Sequence, residues 1–300
     1  MTTTTGKPGE SGTASLIVPI LALLGATISV QYGATLAKGL FAAVGAEGTT
    51  ALRLVMGTLI LGAVMRPWRV RLNRRILPAL IGYGVTLAVM NLLFYMALRT
   101  IPLGIAVSLE FTGPLLVATL SSRRRVDFLW IALAVAGILL LSPPVHTDHP
   151  VDPLGAAFAL GAGAAWAFYI VFGQKAGAEL GHQTAAIGMA VATILVLPVG
   201  IAHAGAALLQ PSILLSALVV GLFSSAIPFT LEMVALTRMP ARVYGTLTSL
   251  EPAFGAIMGL ILLHEMLTLW QWAGIAVVIA AALGAAMTAR SPIASPEQVG

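Results

Sequence analysis

Cysteine is absent from this chain, which excludes disulfides, zinc–thiolate sites and thiol catalysis. Charge is nearly as scarce. Asp, Glu, Lys and Arg supply 9% of the residues, against roughly 25% in a soluble domain. That is too little to clothe a 300-residue globule in water. Catalytic signatures are missing as well: there is no HExxH, no GxSxG and no Walker loop. The chain reads as neither an enzyme nor an ATP-driven pump, and calls for no cofactor and no metal. Its five histidines, His146, His149, His182, His203 and His264, stand in or beside loops. His146-Thr147-Asp148-His149 reads as a solvated loop rather than a metal site.

What is present is apolar. Hydrophobic residues make up 58% of the chain and the mean hydropathy is +0.97. At about 20 residues per membrane crossing, the apolar runs are 16–36, 47–65, 76–98, 101–120, 127–142, 153–173, 183–202, 212–236, 241–263 and 268–288. The expected fold class is an all-α integral membrane protein of ten transmembrane helices. Residues 1–15 and 289–300 read as polar tails. The first apolar run lacks a charged leader and a small-residue cleavage site, so it reads as a retained helix.

The net charge of +5 and pI near 10 do not point to nucleic acid, because the basic residues sit in short loops between apolar runs. With the N-terminus inside, the inner segments hold Lys7, Arg66, Arg69, Arg71, Arg74, Arg75, Arg123, Arg124, Arg125, Lys175, Arg238, Arg242 and Arg290. The outer loops hold only Lys38 and Arg99. That bias predicts both termini on the cytoplasmic side of a lipid bilayer.

An internal repeat appears at a shift of about 138 residues. Met96-Ala97-Leu98-Arg99-Thr100-Ile101-Pro102 lies over Val234-Ala235-Leu236-Thr237-Arg238-Met239-Pro240, and Pro114 falls on Pro252. At a shift of 137, Tyr32 and Lys38 fall on Tyr169 and Lys175. Five spans per half is odd, so the halves insert with opposite orientation. The basic loops 66–75 and 121–127 then match 203–211 and 264–267, which carry no Lys or Arg. Two inverted five-helix repeats, 16–142 and 153–288, are expected, an architecture of alternating-access transporters.

Four ionisable residues lie within the runs: Arg53, Glu110, Glu232 and Glu251. Such residues are costly in lipid and usually functional. Glu110 lies mid-run, and Pro114 cannot donate to its backbone carbonyl, so a charge and a helix break fall at one depth. Glu251 directly precedes Pro252. The structural alternative for each carboxylate is an ion pair or hydrogen bond that locks two helices. Glu232, in reach of Arg238 or Arg242, is also placed to snorkel. Lys38 and Lys175 mark helix ends, with a gating role as the alternative. Gln31, Asn91, Ser108, Thr112, Ser224, Ser225, Thr246, Thr248 and Ser249 add neutral polar groups, Asn91 the hardest to dismiss. Tyr32, Tyr95, Trp166, Tyr169 and Tyr244 either line a cavity or pack. Gly255-Ala256-Ile257-Met258-Gly259 reads as a close helix contact.

Ser249-Leu250-Glu251-Pro252-Ala253, followed by Glu265, Thr268, Gln271 and Gly274, resembles the second unit of the EamA family of the drug/metabolite transporter superfamily. Gly33 to Lys38, Thr50 to Leu54, Pro102 to Pro114, Ser121 to Arg124, Ala159 to Ala164, Glu232 to Arg238 and Gly245 to Pro252 resemble its amino-acid-exporting branch. The likeness runs over residues 16–288. It implies proton-driven efflux of threonine, homoserine and related small amino acids across a bacterial inner membrane. An exporter of purines, amines or aromatic compounds on the same fold is the alternative. A homodimer is compatible with the sequence but not specified by it.

A zwitterionic cargo needs one cationic and one anionic partner. Arg53 is the candidate for the carboxylate, Glu110 or Glu251 for the ammonium, and Asn91 or a nearby Ser or Thr for a hydroxyl. The candidate substrate-binding residues are Gln31, Arg53, Asn91, Tyr95, Glu110 and Glu251. Burial disfavours a carboxylate's charged form, so Glu110 and Glu251 are the candidates to exchange a proton for the cargo. Glu110, whose own carbonyl is left free, is the first choice.

Overall fold

In the computed structural model, residues 11–70, 72–120, 125–141, 151–181, 183–238 and 247–288 are described. Among them the regular structure is helical throughout. The helices are α1 (Ser11–Lys38), α2 (Phe41–Met65), α3 (Leu77–Ala97), α4 (Leu103–Glu110), α5 (Thr112–Leu120) and α6 (Arg125–Leu141). They continue with α7 (Pro153–Leu180), α8 (Gln183–Ala204), α9 (Pro211–Gly221), α10 (Ile227–Arg238), α11 (Glu251–Leu262) and α12 (Leu269–Thr288). A π-helical segment, Leu222–Ala226, joins α9 to α10 in one rod. The first ten residues, the tail from 289, the arginines at 71, 123, 124 and 242, and Pro240, Tyr244 and Thr246 lie outside the described residues, as do His146, His149 and His182.

Among the described residues, six segments are long and apolar enough to cross a membrane: Ile17–Lys38, Phe41–Met65, Leu77–Ala97, Pro153–Leu180, Gln183–Leu209 and Pro211–Glu232. Leu103–Val117, Phe128–Leu141, Glu251–Leu262 and Leu269–Gly284 are shorter apolar helices. Side-chain placement is inverted relative to a soluble protein. Leu21, Leu59, Ile194, Leu215 and Ile261 are exposed, while Gln31, Thr49, Thr50, Asn91, Ser108 and Ser225 are buried. An apolar skin, with polar groups set inside a largely apolar core, is what a lipid solvent selects.

Local sequence sets the helix ends. Pro78, Pro153, Pro211 and Pro252 open α3, α7, α9 and α11, where the missing N–H is no loss. The Asp152 side chain caps α7, accepting from the N–H of Gly155 at 2.9 Å. Gly45 kinks α2 with φ +69°, a conformation that an L side chain rarely adopts. The run 101–120 divides at Phe111, as Pro114 predicts: α4 stops at Glu110 and α5 begins at Thr112.

All eight residues of α4 are buried, so it is enclosed rather than amphipathic. It packs on α11, where Gly104 meets Ala256 and Gly255 meets Val107. The break after it rests on α7: a Cβ at Gly163 would collide with the Glu110 carbonyl. The expected close contact at Gly255–Gly259 is therefore present. Around this core α3 packs on α7 and α8, α2 on α8 and α9, α1 on α10, and α6 on α12.

Polar ties gather at one end of the bundle. Lys38, closing α1, pairs with Glu265 between α11 and α12. The other Glu265 oxygen accepts from the Leu103 N–H at 2.7 Å, capping α4. Glu47 meets Arg99 at 3.3 Å and His203 at 3.6 Å.

Candidate functional site

Arg53 projects from α2 into the interior. Its Nε donates to Ser224 Oγ at 2.7 Å and Nη2 to the Ser224 carbonyl at 2.9 Å. Nη1 donates to Asn91 Oδ1, and the guanidinium carbon lies 5.5 Å from the Tyr95 ring centroid. Ser224 lies in the π-helical segment and is brought against α1 at Gly33. The irregular turn therefore presents a hydroxyl and a carbonyl as parallel acceptors for one edge of the fork, a use typical of π-bulges at working sites. Three of the five guanidinium N–H groups are taken, leaving one on each terminal nitrogen.

Glu110 is 9% exposed at the C-terminal end of α4. Glu251 and Arg53 are the charged groups within electrostatic reach of it. Glu251 opens α11 and lies in turn within reach of Glu232. The helix field differs at the two carboxylates. Glu251 sits at a helix N-terminus, where negative charge is favoured, and Glu110 at a C-terminus, where it is not. A cation or a proton at the Glu110 carboxylate relieves that unfavourable field.

The other candidates are placed less uniformly. Asn91 is buried beside Arg53, but its Oδ1 accepts from Arg53 and its Nδ2 donates to the Leu87 carbonyl at 2.8 Å. It orients the arginine and has little left for a hydroxyl. Tyr95, 2% exposed, forms the floor under Arg53 and packs on Phe41 and Phe94. Gln31, 3% exposed on α1, has an unpartnered Oε1. Ser108 and Thr112 donate to the backbone carbonyls of Gly104 and Leu109. Tyr32 packs on Phe223, Trp166 on Phe111, and Tyr169 stacks on Tyr83 with a 2.8 Å hydroxyl contact. These rings are packing elements. Lys175 is exposed at the far end of α7.

Two features escape a reading of the sequence. Ser224 is one polar residue among many until Arg53 is seen on it. The Lys38–Glu265 pair joins positions 227 residues apart, although Lys38 had a repeat mate and Glu265 stood in the family-like motif. That motif has a structural account here. Thr268 and Gln271 form a reciprocal cap at the start of α12, with Thr268 N–H to Gln271 Oε1 at 2.8 Å and Gln271 N–H to Thr268 Oγ1 at 3.3 Å. Gly274 gives α12 its close approach to Gly137 on α6.

An enclosed polar centre inside a lipid-facing helical bundle is the hallmark of a membrane transporter, and residues 153–287 match the EamA-like transporter family. The chain belongs to that family. It is 52% identical over 283 residues to a "Threonine/homoserine exporter RhtA" of Salmonella typhimurium strain SL1344, covering 94% of this chain and 96% of the relative. It is 50% identical over the same length, with the same coverage, to the Escherichia coli K12 protein of that name. A Bacillus subtilis protein named "Uncharacterized transporter YwfM" is 26% identical over 75% of this chain and 79% of its own. One crystal structure superposes with a TM-score of 0.60 at 18% identity, covering 93% of this chain and 99% of the other; it supports the fold alone.

Proposed function

We propose that this chain exports threonine and homoserine by alternating access, exchanging a proton for the cargo at Glu110. The observation that carries the reading is Arg53, part-buried, clamped by Ser224 and Asn91 and within electrostatic reach of Glu110, in a chain half identical to threonine/homoserine exporters. Arg53, held by Ser224 and Asn91, keeps two N–H groups for the cargo carboxylate. The cargo ammonium takes the place between the Glu110 carboxylate and the α4 C-terminus, the polarity that half-helix ends give to cation sites in transporters. A proton returns to Glu110 when the ammonium leaves, so the two never occupy it together.

The mechanism is read on ten transmembrane segments in two inverted halves, both termini cytoplasmic, in the bacterial inner membrane. The helix contacts support this. Exchange α1, α2, α3, α4–α5 and α6 with α7, α8, α9–α10, α11 and α12. The α3·α7 contact then becomes α1·α10, α3·α8 becomes α2·α9, and α4·α7 becomes α1·α11, all of which occur. The α2·α8, α4·α11 and α6·α12 contacts map onto themselves. The end tied by Lys38, Glu265 and Leu103 is then the periplasmic closure.

In proteoliposomes with an imposed pH gradient, Glu110→Gln should abolish uphill threonine transport while the protein stays folded, read as an unchanged Tm in detergent. Normal coupling by that variant would refute the proton assignment. An aromatic or purine cargo is disfavoured because the interior rings are already packed on one another or under Arg53. A competition panel of amines, purines and amino acids against labelled threonine separates the two cargo classes.

A further inference from the structure

Gln31 is buried, yet its amide oxygen has no hydrogen-bond partner, an arrangement a protein keeps only at a cost. Its position is informative. A Cβ at Gly255 would lie 3.1 Å from Val107 and 3.5 Å from Gln31 Oε1, so the amide oxygen reaches the seam between α4 and α11. Val107 stands three residues before Glu110, and Gly255 four residues after Glu251. Both spacings put the pairs on one helix face. The Gln31 oxygen therefore sits about one helical turn, roughly 5 Å, from the carboxylate pair along both helices.

The neighbouring polar groups are already engaged. Asn91 has given its amide to Arg53 and Leu87, and Ser108, Thr112 and Thr35 donate to backbone carbonyls. Ser225 also has an unpartnered hydroxyl, but it faces Gly57 on α2, away from the α4–α11 seam.

We propose that Gln31 is the specificity-determining residue that reads the cargo's side-chain hydroxyl, which donates to Gln31 Oε1. The inference rests on the export reading above, with the cargo's ammonium at Glu110 and its carboxylate at Arg53. Valine has the shape of threonine and norvaline that of homoserine, each with a methyl group in place of the hydroxyl. A purely apolar pocket separates such pairs poorly, whereas a site whose polar group is left unpaired by the wrong cargo rejects it. Gln31 supplies that group. Its long side chain serves a hydroxyl on Cβ or on Cγ.

The test is competition against labelled threonine in proteoliposome counterflow, using threonine, valine, homoserine and norvaline on full-length protein. In Gln31→Leu the threonine-over-valine and homoserine-over-norvaline preferences should each fall by at least about fivefold, the low end for one unpaired buried polar group. Gln31→Asn, which withdraws the oxygen by one methylene, should shift preference from threonine towards homoserine, whose hydroxyl reaches further. A structural role for Gln31 would lower transport of all four alike, and unchanged ratios in Gln31→Asn, or in Gln31→Leu, would overturn the proposal. The export reading fails separately, if Glu110→Gln couples normally or if wild-type protein ignores all four amino acids.

Discussion

Breaking the Lys38–Glu265 pair should open the end of the bundle that it ties. The pair links α1 of the first half to the α11–α12 connection of the second, and through Leu103 N–H it also holds the start of α4. Its side chains are 25% and 12% exposed. That places it between surface ion pairs, worth about 0–1 kcal/mol, and buried ones, whose disruption costs about 3–5 kcal/mol. Lys38→Met leaves Glu265 its bond to Leu103 and the favourable field of the α4 N-terminus, so a loss of about 1–2 kcal/mol is expected. The population open at that end should rise about 5- to 30-fold. Glu265→Gln keeps an acceptor for Leu103 but removes the charge, and should open it by a similar factor. The cysteine-free sequence makes the assay direct. Thr35 is buried on α1, three residues before Lys38 and four after Gln31, hence on the face between them. In a Thr35→Cys background, a membrane-impermeant maleimide applied to whole cells should label Lys38→Met and Glu265→Gln faster than the parent. The charge swap Lys38→Glu/Glu265→Lys should recover only part of the protection, because it sets a cation at the α4 N-terminus. Equal labelling rates in parent and single variants would show that the pair does not hold the closure.

Arg53→Lys keeps the charge but cannot satisfy Ser224 Oγ, Ser224 O and Asn91 Oδ1 while offering a fork to the cargo. Its KM for threonine should rise at least about tenfold, as expected when a charge-assisted bond is lost, and an unchanged KM would remove Arg53 from the site. Gly163→Val puts a side chain onto the Glu110 carbonyl. It should destabilise the folded protein by about 1–3 kcal/mol, read as a lowered Tm in detergent, whereas a wild-type Tm would mean that α7 need not approach the break so closely. Asp152 is held below its ordinary 3.8 by the Thr100 hydroxyl and then by the Gly155 N–H. Its cap therefore contributes stability above that value and loses it as pH falls through the lowered one. Asp152→Ala should lower Tm at neutral pH, and the gap to wild type should close in strong acid; a gap independent of pH would assign the effect to something other than the charged cap.

Much of the helical layout is legible because apolar run length and proline placement are local signals. Pro153 after Asp152, Pro211 after Gln210, and Pro114 beyond Glu110 each mark an end or break that the structure shows. The candidate site is half legible. Arg53, Glu110 and Glu251 stand out because charge within an apolar run is expensive wherever it lies, and the fold places the three within electrostatic reach. What sequence cannot supply is the state of each group's partners. Asn91 reads as a free amide until the guanidinium is found on it. Gln31 reads as one polar residue among several until its neighbours are all seen to be engaged. The π-helical turn at Leu222–Ala226 has no local signature, yet it sets the Ser224 carbonyl and hydroxyl side by side.

The three decisive polar contacts share a property that bears on coupling. Arg53 on Ser224, Glu110 within electrostatic reach of Glu251, and Lys38 on Glu265 each join a residue before position 142 to one after 153. A ligand shifts a conformational equilibrium only by as much as it binds the two states differently. Under the proposed alternating access, cargo or proton bound wholly within one half would have no such difference when the halves move against each other. Under the proposed export, binding at Glu110 would change the repulsion across the α4–α11 seam itself. In that scheme, with Glu110 charged and no ammonium present, the carboxylates would push α4 and α11 apart; with a proton or an ammonium there, the two helices could close. Under the proposed export, loaded and protonated carriers therefore cross while the empty charged carrier does not, and that exclusion is what turns two separate fluxes into antiport. Glu251→Gln removes the repulsion without removing Glu110, so it should let the empty carrier cross. Threonine-loaded proteoliposomes carrying it should leak cargo without a pH gradient, and tight coupling in that variant would break the argument.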